Sequence, residues 1–175
     1  NPINGAGKKG TSDYGQYINC SATDLRCIHN TSQLLGIPVW EYKALQRLCL
    51  SDSEDAIHTV NYILTNGVHI KLGSTRDWQN IGAGAWFDLN TNTIYLHPKT
   101  KLDALTDQDL GRIAHEALHI EQGYYLSHSI EGERLAWQAE YRILLVLWTN
   151  AGLGGASERM REILAATDPS SFVHA

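Results

Sequence analysis

The sequence is poor in basic residues: 14 lysines and arginines stand against 19 aspartates and glutamates, a formal net charge of -5. Nucleic-acid-binding proteins usually carry a clustered basic face, and the only cluster here is Lys8 with Lys9, so we expect no nucleic-acid partner. Long apolar runs are also missing. The longest candidate, residues 143–148, is far shorter than the about 20 residues that a membrane-spanning helix needs. We therefore expect no membrane span.

Cysteines are few and odd in number, namely Cys20, Cys27 and Cys49, and no two of them form a C-x-x-C pair. That spacing is typical of zinc knuckles and redox motifs, so the sequence argues against both. Two states of Cys20 and Cys27 stay open, a disulfide in an oxidising compartment or reduced thiols. We expect Cys49 to be a core residue.

The length of 175 residues fits a single domain. Residues 1–16 contain four glycines among polar residues, a composition typical of a flexible segment. We therefore predict a flexible N-terminal arm over residues 1–16 and one domain over residues 17–175. The chain begins at Asn1 with neither an initiator methionine nor an apolar signal region, so we expect that a leader was removed or that this is part of a longer protein.

The spacing of apolar residues predicts an α+β fold. Helices are predicted over residues 39–49, 53–64, 106–122, 129–150 and 157–166, with Pro169 closing the last of them. Strands are predicted at residues 68–72, 85–89 and 93–96, the last two flanking a tight turn. We expect these strands to form a small antiparallel sheet, and Gly123 to break the third helix.

The third predicted helix carries an H-E-x-x-H motif at residues 115–119. A spacing of four places the imidazoles of His115 and His119 on one helical face, one turn apart, where they can converge on one ion. Glu116 then lies beside the ion, where it can take a proton from a water made acidic by a metal and pass it to a leaving amine. The motif predicts a zinc site with Glu116 as the catalytic base.

A catalytic zinc ion usually has three protein ligands and one position for water, so a third ligand is required. The longer H-E-x-x-H-x-x-G-x-x-H pattern would place histidine at position 125, which is Tyr125, and the metzincin arrangement is excluded. The next helix offers Glu131, Glu133 and Glu140. Glu133 and Glu140 lie seven residues apart and share a face, whereas Glu131 is turned away from both. The residues alone leave the choice open.

Residues 133–137 (ERLAW), following the H-E-x-x-H motif, resemble the gluzincin family of zinc metallopeptidases. In that family a glutamate of the next helix, often in an E-x-x-A-[DN] setting, completes the metal site. The resemblance covers residues 85–150 and is greatest to small bacterial members. It implies a zincin-like core, Glu133 as the third ligand beside the two motif histidines, and hydrolysis of peptide bonds in a protein or peptide substrate.

The sequence departs from the gluzincin pattern at Trp137, where Asp or Asn is common. It stays open whether a ligating histidine lacks its hydrogen-bonding partner or takes it from another residue. The family also implies an edge strand that pairs with the extended substrate, at residues 85–89 or 93–96. Either strand can equally be a core strand.

A peptidase also needs a donor for the developing oxyanion. The candidates are Tyr124, Tyr125, His128 and Tyr141. Three of them lie in the connection between the two metal-bearing helices, although tyrosines are more often packing residues than catalysts.

The first four residues, Asn1-Pro2-Ile3-Asn4, resemble the junction at which bacterial RHS-repeat shells hand over to a C-terminal toxin, although the Asp-Pro-x-Gly that normally follows is absent. This resemblance implies a secreted or delivered effector peptidase rather than a cytoplasmic one, with an RHS-type parent shell and an immunity partner. Two alternatives stay open: an intracellular regulatory peptidase that cleaves a repressor, and a non-catalytic zinc-stabilised binding domain. The last is disfavoured because a structural site fills all four zinc positions and has no use for Glu116.

Overall fold

A computed structural model describes residues 36–78 and 83–174 of the chain. The predicted arm over residues 1–16 and the cysteines Cys20 and Cys27 lie outside these ranges. The described chain is mixed α+β and mostly helical, with a three-stranded sheet. Within it, no helix is both long and apolar enough to cross a membrane.

The helices are α1 (Val39–Leu50), α2 (Glu54–Asn66), α3 (Thr75–Trp78), α4 (Asp107–Ser127), α5 (Ile130–Asn150), α6 (Glu158–Ala165) and α7 (Pro169–His174). The strands are β1 (His69–Leu72), β2 (Ala85–Asp88) and β3 (Thr93–Leu96), and a 3-10 turn spans Leu102–Ala104. The long helices were all predicted, whereas α3 and α7 were not. Pro169 begins α7 instead of ending the helical pattern, because the first turn of a helix needs no N–H from that residue.

The predicted starts of α4 and α5 are confirmed by their caps. Thr106 and Asp109 form a capping box at the start of α4, in which each residue binds the backbone N–H of the other. The Ser129 hydroxyl accepts a hydrogen bond from the backbone N–H of Gly132 at 3.0 Å and so starts α5. Both helices that carry candidate metal ligands are therefore held by local contacts at their first turn.

The expectation of an antiparallel sheet is wrong for one strand. The strand order is β1-β3-β2; β2 and β3 are antiparallel, but β1 and β3 are parallel. The link between β2 and β3 is a short turn, which permits only antiparallel pairing. The connection from β1 to β3 includes α3 and β2, and is long enough for the chain to return and run parallel.

The core lies between the sheet, α1, α2 and α4. Ile94 of the central strand and Leu110 and Ile113 of α4 are completely buried. Cys49 lies in this core, as expected, and it is disulfide-bonded, which we did not predict. The turn of α4 that comes before its histidines is therefore buried, and this packing positions the H-E-x-x-H motif beside the sheet.

Candidate metal centre

The two motif histidines converge as their spacing predicts. Nε2 of His115 and Nε2 of His119 lie 3.1 Å apart, and both side chains are buried. Oε2 of Glu133 lies 3.6 Å from Nε2 of His115, and Oε1 lies 3.4 Å from Nε2 of His119. Tetrahedral ligation at about 2.0–2.1 Å places neighbouring ligand atoms about 3.3–3.4 Å apart. Each of the three side chains brings one ligand atom within 4.8 Å of the other two, a spacing at which they can hold one metal ion.

The orientation of His119 is set by Gln122, one turn further along α4. Nε2 of Gln122 donates to the backbone carbonyl of Gly132 at 3.1 Å, so its Oε1 faces Nδ1 of His119 at 3.0 Å. Because a carbonyl oxygen only accepts, Nδ1 of His119 is the protonated nitrogen. This leaves Nε2 with a lone pair directed at the metal position.

His115 has a carboxylate on its far side. Nδ1 of His115 lies 3.0 Å from Oε2 of Glu140, although its direction in this rotamer is not that of a hydrogen bond. Both side chains are buried, with 8% of each accessible. Glu140 therefore occupies the position of an orienting partner for His115 rather than that of a ligand on Nε2.

Glu133 is half-exposed on the cleft side of α5, with 46% of its side chain accessible. Its contacts with His115 and His119 hold the pKa of its carboxyl far below the usual range, although burial opposes this. It is therefore an anion at neutral pH, as a zinc ligand must be.

Three carboxylates act on the ring of His115. Burial lowers the pKa of His115, but contacts with Glu133 and Glu140 and the charge of Glu116 outweigh it and raise that pKa to about 9. Burial also raises the pKa of Glu116 to about 6, although the two histidines counteract part of the shift. At neutral pH Glu116 is thus a carboxylate. Because its pKa is raised, this carboxylate accepts a proton more readily than an ordinary glutamate does.

The third glutamate considered from the sequence serves another purpose. Glu131 forms a two-point ion pair with Arg134, with Nε of the guanidinium 2.6 Å from Oε2. The same guanidinium donates to the backbone carbonyl of Ala166 at 3.0 Å. Glu131 therefore helps to fasten α5 to the chain after α6, and it takes no part in the cluster.

An open cleft of about 980 Å³ lies over the cluster. Its lining includes the whole of β2 together with the cleft-facing residues of α4 and α5. Phe87 of β2 stacks on the His119 ring at a centroid distance of 4.9 Å, and Trp137 of α5 meets the His115 ring edge-on at 4.9 Å. The residue that departs from the gluzincin pattern therefore packs against a ligand candidate without hydrogen-bonding to it.

Three of the four candidates for an oxyanion donor line the cleft, namely Tyr124, His128 and Tyr141. Tyr125 is 90% exposed and does not belong to the lining. Gln122 was missed from the sequence. The signal that could have found it is its place three residues after His119, which puts it on the same face of α4.

In comparisons with known proteins, the chain matches no protein-family model, no curated protein and no solved structure. The resemblance to gluzincins therefore rests only on residues 115–119 and 133–137 of the sequence.

Proposed function

We propose that this protein is a zinc-dependent peptidase of gluzincin type, with a zincin-like core. The observation that carries the proposal is the cluster of two Nε2 atoms and the Glu133 carboxylate at ligand separations. Glu116, buried and next in sequence to His115, supplies the base that such a site needs. His115, His119 and Glu133 are the proposed ligands.

The side chains divide the work of peptide hydrolysis. A bound zinc ion supplies positive charge that polarises a peptide carbonyl and makes a water molecule more acidic. The Glu116 carboxylate accepts a proton from the attacking water and delivers it to the nitrogen of the leaving amine. Its raised pKa of about 6 favours both transfers, because a base with a pKa near the working pH can also release the proton.

Strand β2 supports a peptide as the substrate. It is one of the two edge strands of the described sheet, since its only described pairing partner is β3. Its residues line the cleft from one end to the other. An extended peptide can add to such an edge through backbone hydrogen bonds and lie across the metal centre.

The open side of the centre argues against the zinc-stabilised binding domain. A structural zinc has four protein ligands and is closed to solvent, whereas the cluster, among the residues that the structure describes, has three side chains and faces the cleft. The proposed RHS-type shell, the immunity partner and delivery as an effector stay predictions, since residues 1–4 lie outside the described chain. The same holds for the alternative of a regulatory peptidase that cleaves a repressor.

The metal site is tested by measuring zinc per chain in the wild type and in three variants. We expect one zinc per chain in the wild type and in Glu116→Gln, and a loss of zinc in Glu133→Gln. Glu131→Gln is the matched control because it removes a carboxylate from the same turn of α5 without touching the cluster. Full zinc retention in Glu133→Gln contradicts the ligand assignment.

Activity is tested with unfolded casein and a mixed library of fluorogenic peptides. The zinc-loaded wild type should cleave both, and Glu116→Gln, which keeps its zinc, should lose at least about 100-fold in rate because the general base is gone. Zinc binding without any cleavage above the Glu116→Gln background would overturn the peptidase proposal and leave only a metal site.

A further inference from the structure

Arg112 is a cation in a cleft whose lining also includes four carboxylates. It lies on α4 one turn before His115, and among the cleft-lining residues of the described chain it is the only arginine or lysine. The acidic residues of the same lining are Asp88, Glu116, Glu133 and Glu140. The metal centre as assigned makes no use of Arg112.

The Arg112 guanidinium is held in place but retains free donors. Within the described chain it makes a single hydrogen bond, from Nη1 to Oδ1 of Asp109 at 3.4 Å, and 38% of the side chain is exposed. It also packs against Gly84, just before β2, where an added Cβ would lie 2.4 Å from Nε and 2.6 Å from Cζ. Since a guanidinium has five N–H donors, most of them remain available.

Two contacts show how β2 and α4 lie beside each other. Gly84 meets Arg112 at one end, and Phe87 meets His119 at the other. Three residues of strand and seven residues of helix each cover about 10 Å, so the two elements run side by side in the same direction. The midpoint of the two histidines lies about 7–8 Å along the helix from Arg112, a distance that about two residues of extended peptide span.

We propose that Arg112 binds a carboxylate of the substrate about two residues from the cleaved bond. This proposal rests on the proposed function and adds a preference to it. The carboxylate belongs either to an Asp or Glu side chain or to the C-terminus of the peptide, and both present the same planar pair of oxygens to the guanidinium fork. The surrounding carboxylates repel such a group elsewhere in the cleft, so Arg112 also fixes the register of the peptide.

The test compares fluorogenic peptides that differ only by Glu or Gln at each position within three residues of the cleaved bond, all amidated. A second set ends in a free carboxylate or an amide at the same positions. The enzymes are the zinc-loaded wild type, Arg112→Gln and Gly84→Ala, with Arg76→Gln as a control that removes an exposed cation outside the cleft lining. The measured quantity is the ratio of kcat/KM for each pair.

We expect the wild type and Arg76→Gln to prefer the carboxylate about 10-fold or more at one position. Arg112→Gln should lose this preference, because it slows cleavage of the carboxylate peptide more than cleavage of the neutral peptide. Gly84→Ala keeps the charge of Arg112, but it should weaken the carboxylate preference because the new methyl group displaces the guanidinium. The set that shows the preference identifies the source of the carboxylate.

Cleavage by the wild type without a carboxylate preference overturns the role of Arg112 and leaves the peptidase intact. A carboxylate preference that persists in Arg112→Gln also overturns the role of Arg112 and leaves the peptidase proposal intact. If the zinc-loaded wild type cleaves no peptide of either set above the Glu116→Gln background, the proposed function fails, and the Arg112 proposal fails with it.

Discussion

Oε1 of Gln122 lies 3.0 Å from Nδ1 of His119, while the other end of the same amide is held by a backbone carbonyl of the next helix. Gln122 therefore supplies a hydrogen-bonding partner on the far side of the His119 ring. Since the amide is fixed at both ends, it fixes the tautomer of the histidine. One short bridge thus joins α4 to α5 and orients a ligand.

Gln122→Leu should weaken zinc binding about 10-fold to 100-fold, because Nδ1 of His119 loses its acceptor and the ring is free to turn. The dissociation constant is measured by competition with a chelating dye. Gln108→Leu is the control, as it makes the same change at an exposed site on the same helix. Equal affinities in the two variants would show that Gln122 does not orient His119.

Glu140→Gln separates an orienting partner from a ligand. If Glu140 acts through Nδ1 of His115, the variant should still bind one zinc per chain at saturation, with an affinity about 10-fold to 100-fold lower. Glu131→Gln should have the affinity of the wild type. Complete loss of zinc from Glu140→Gln, with zinc retained by Glu133→Gln, would exchange the roles of the two glutamates.

Gly132→Ala should destabilise the fold. An added Cβ at Gly132 would lie 1.9 Å from the backbone oxygen of Leu126, and a backbone atom cannot turn aside as a side chain can. We expect a loss of at least about 2 kcal/mol in the free energy of unfolding, measured with urea. Gly155→Ala, which meets nothing within 4 Å, should change stability by about 0.5 kcal/mol or less. Equal urea midpoints for Gly132→Ala and Gly155→Ala would contradict the close approach of Gly132 to the Leu126 backbone oxygen.

Glu41 should make stability fall as the pH rises. Burial raises its pKa from 4.5 to about 7, so the folded chain binds this proton more tightly than the unfolded chain. The contribution is therefore fully present below pH 4.5 and is lost as the pH rises to about 7. Across that range we expect the free energy of unfolding to fall by about 2 kcal/mol more in the wild type than in Glu41→Gln, after allowance for partial solvent screening.

Urea titrations of both proteins at several pH values measure this difference. Glu162→Gln, which removes an exposed carboxylate from α6, should follow the wild type. Parallel pH profiles for Glu41→Gln and the wild type would show that the Glu41 carboxyl titrates alike in the folded and unfolded chains.

Local rules were sufficient to predict five of the seven described helices and the two histidines of the cluster. The caps at Thr106 and Ser129 act within one turn, and the four-residue spacing of His115 and His119 places them on one face of any helix. These features depend only on neighbours in the chain. For that reason the helix starts and the common face of the two histidines could be predicted without knowledge of the packing.

The choice among the glutamates depended on tertiary structure. The resemblance to gluzincins indicated Glu133, but the residues alone left Glu131 and Glu140 open. Which face of α5 meets α4 is set by the packing of the two helices, and that packing brings Glu133 to Nε2 of His115 and Glu140 to Nδ1. Helical periodicity gives the relative angles of side chains on one helix, but not the rotation of that helix against its neighbour.

The direction of β1 and the cleft position of Arg112 were also decided by tertiary structure. The sequence of β1 has the same alternation whether it pairs parallel or antiparallel, since side chains alternate in both. The approach of Arg112 to Gly84 joins residues 28 positions apart. Such contacts form only when the sheet packs against α4. The free energy that stabilises them comes from this packing and not from the secondary-structure preferences of neighbouring residues.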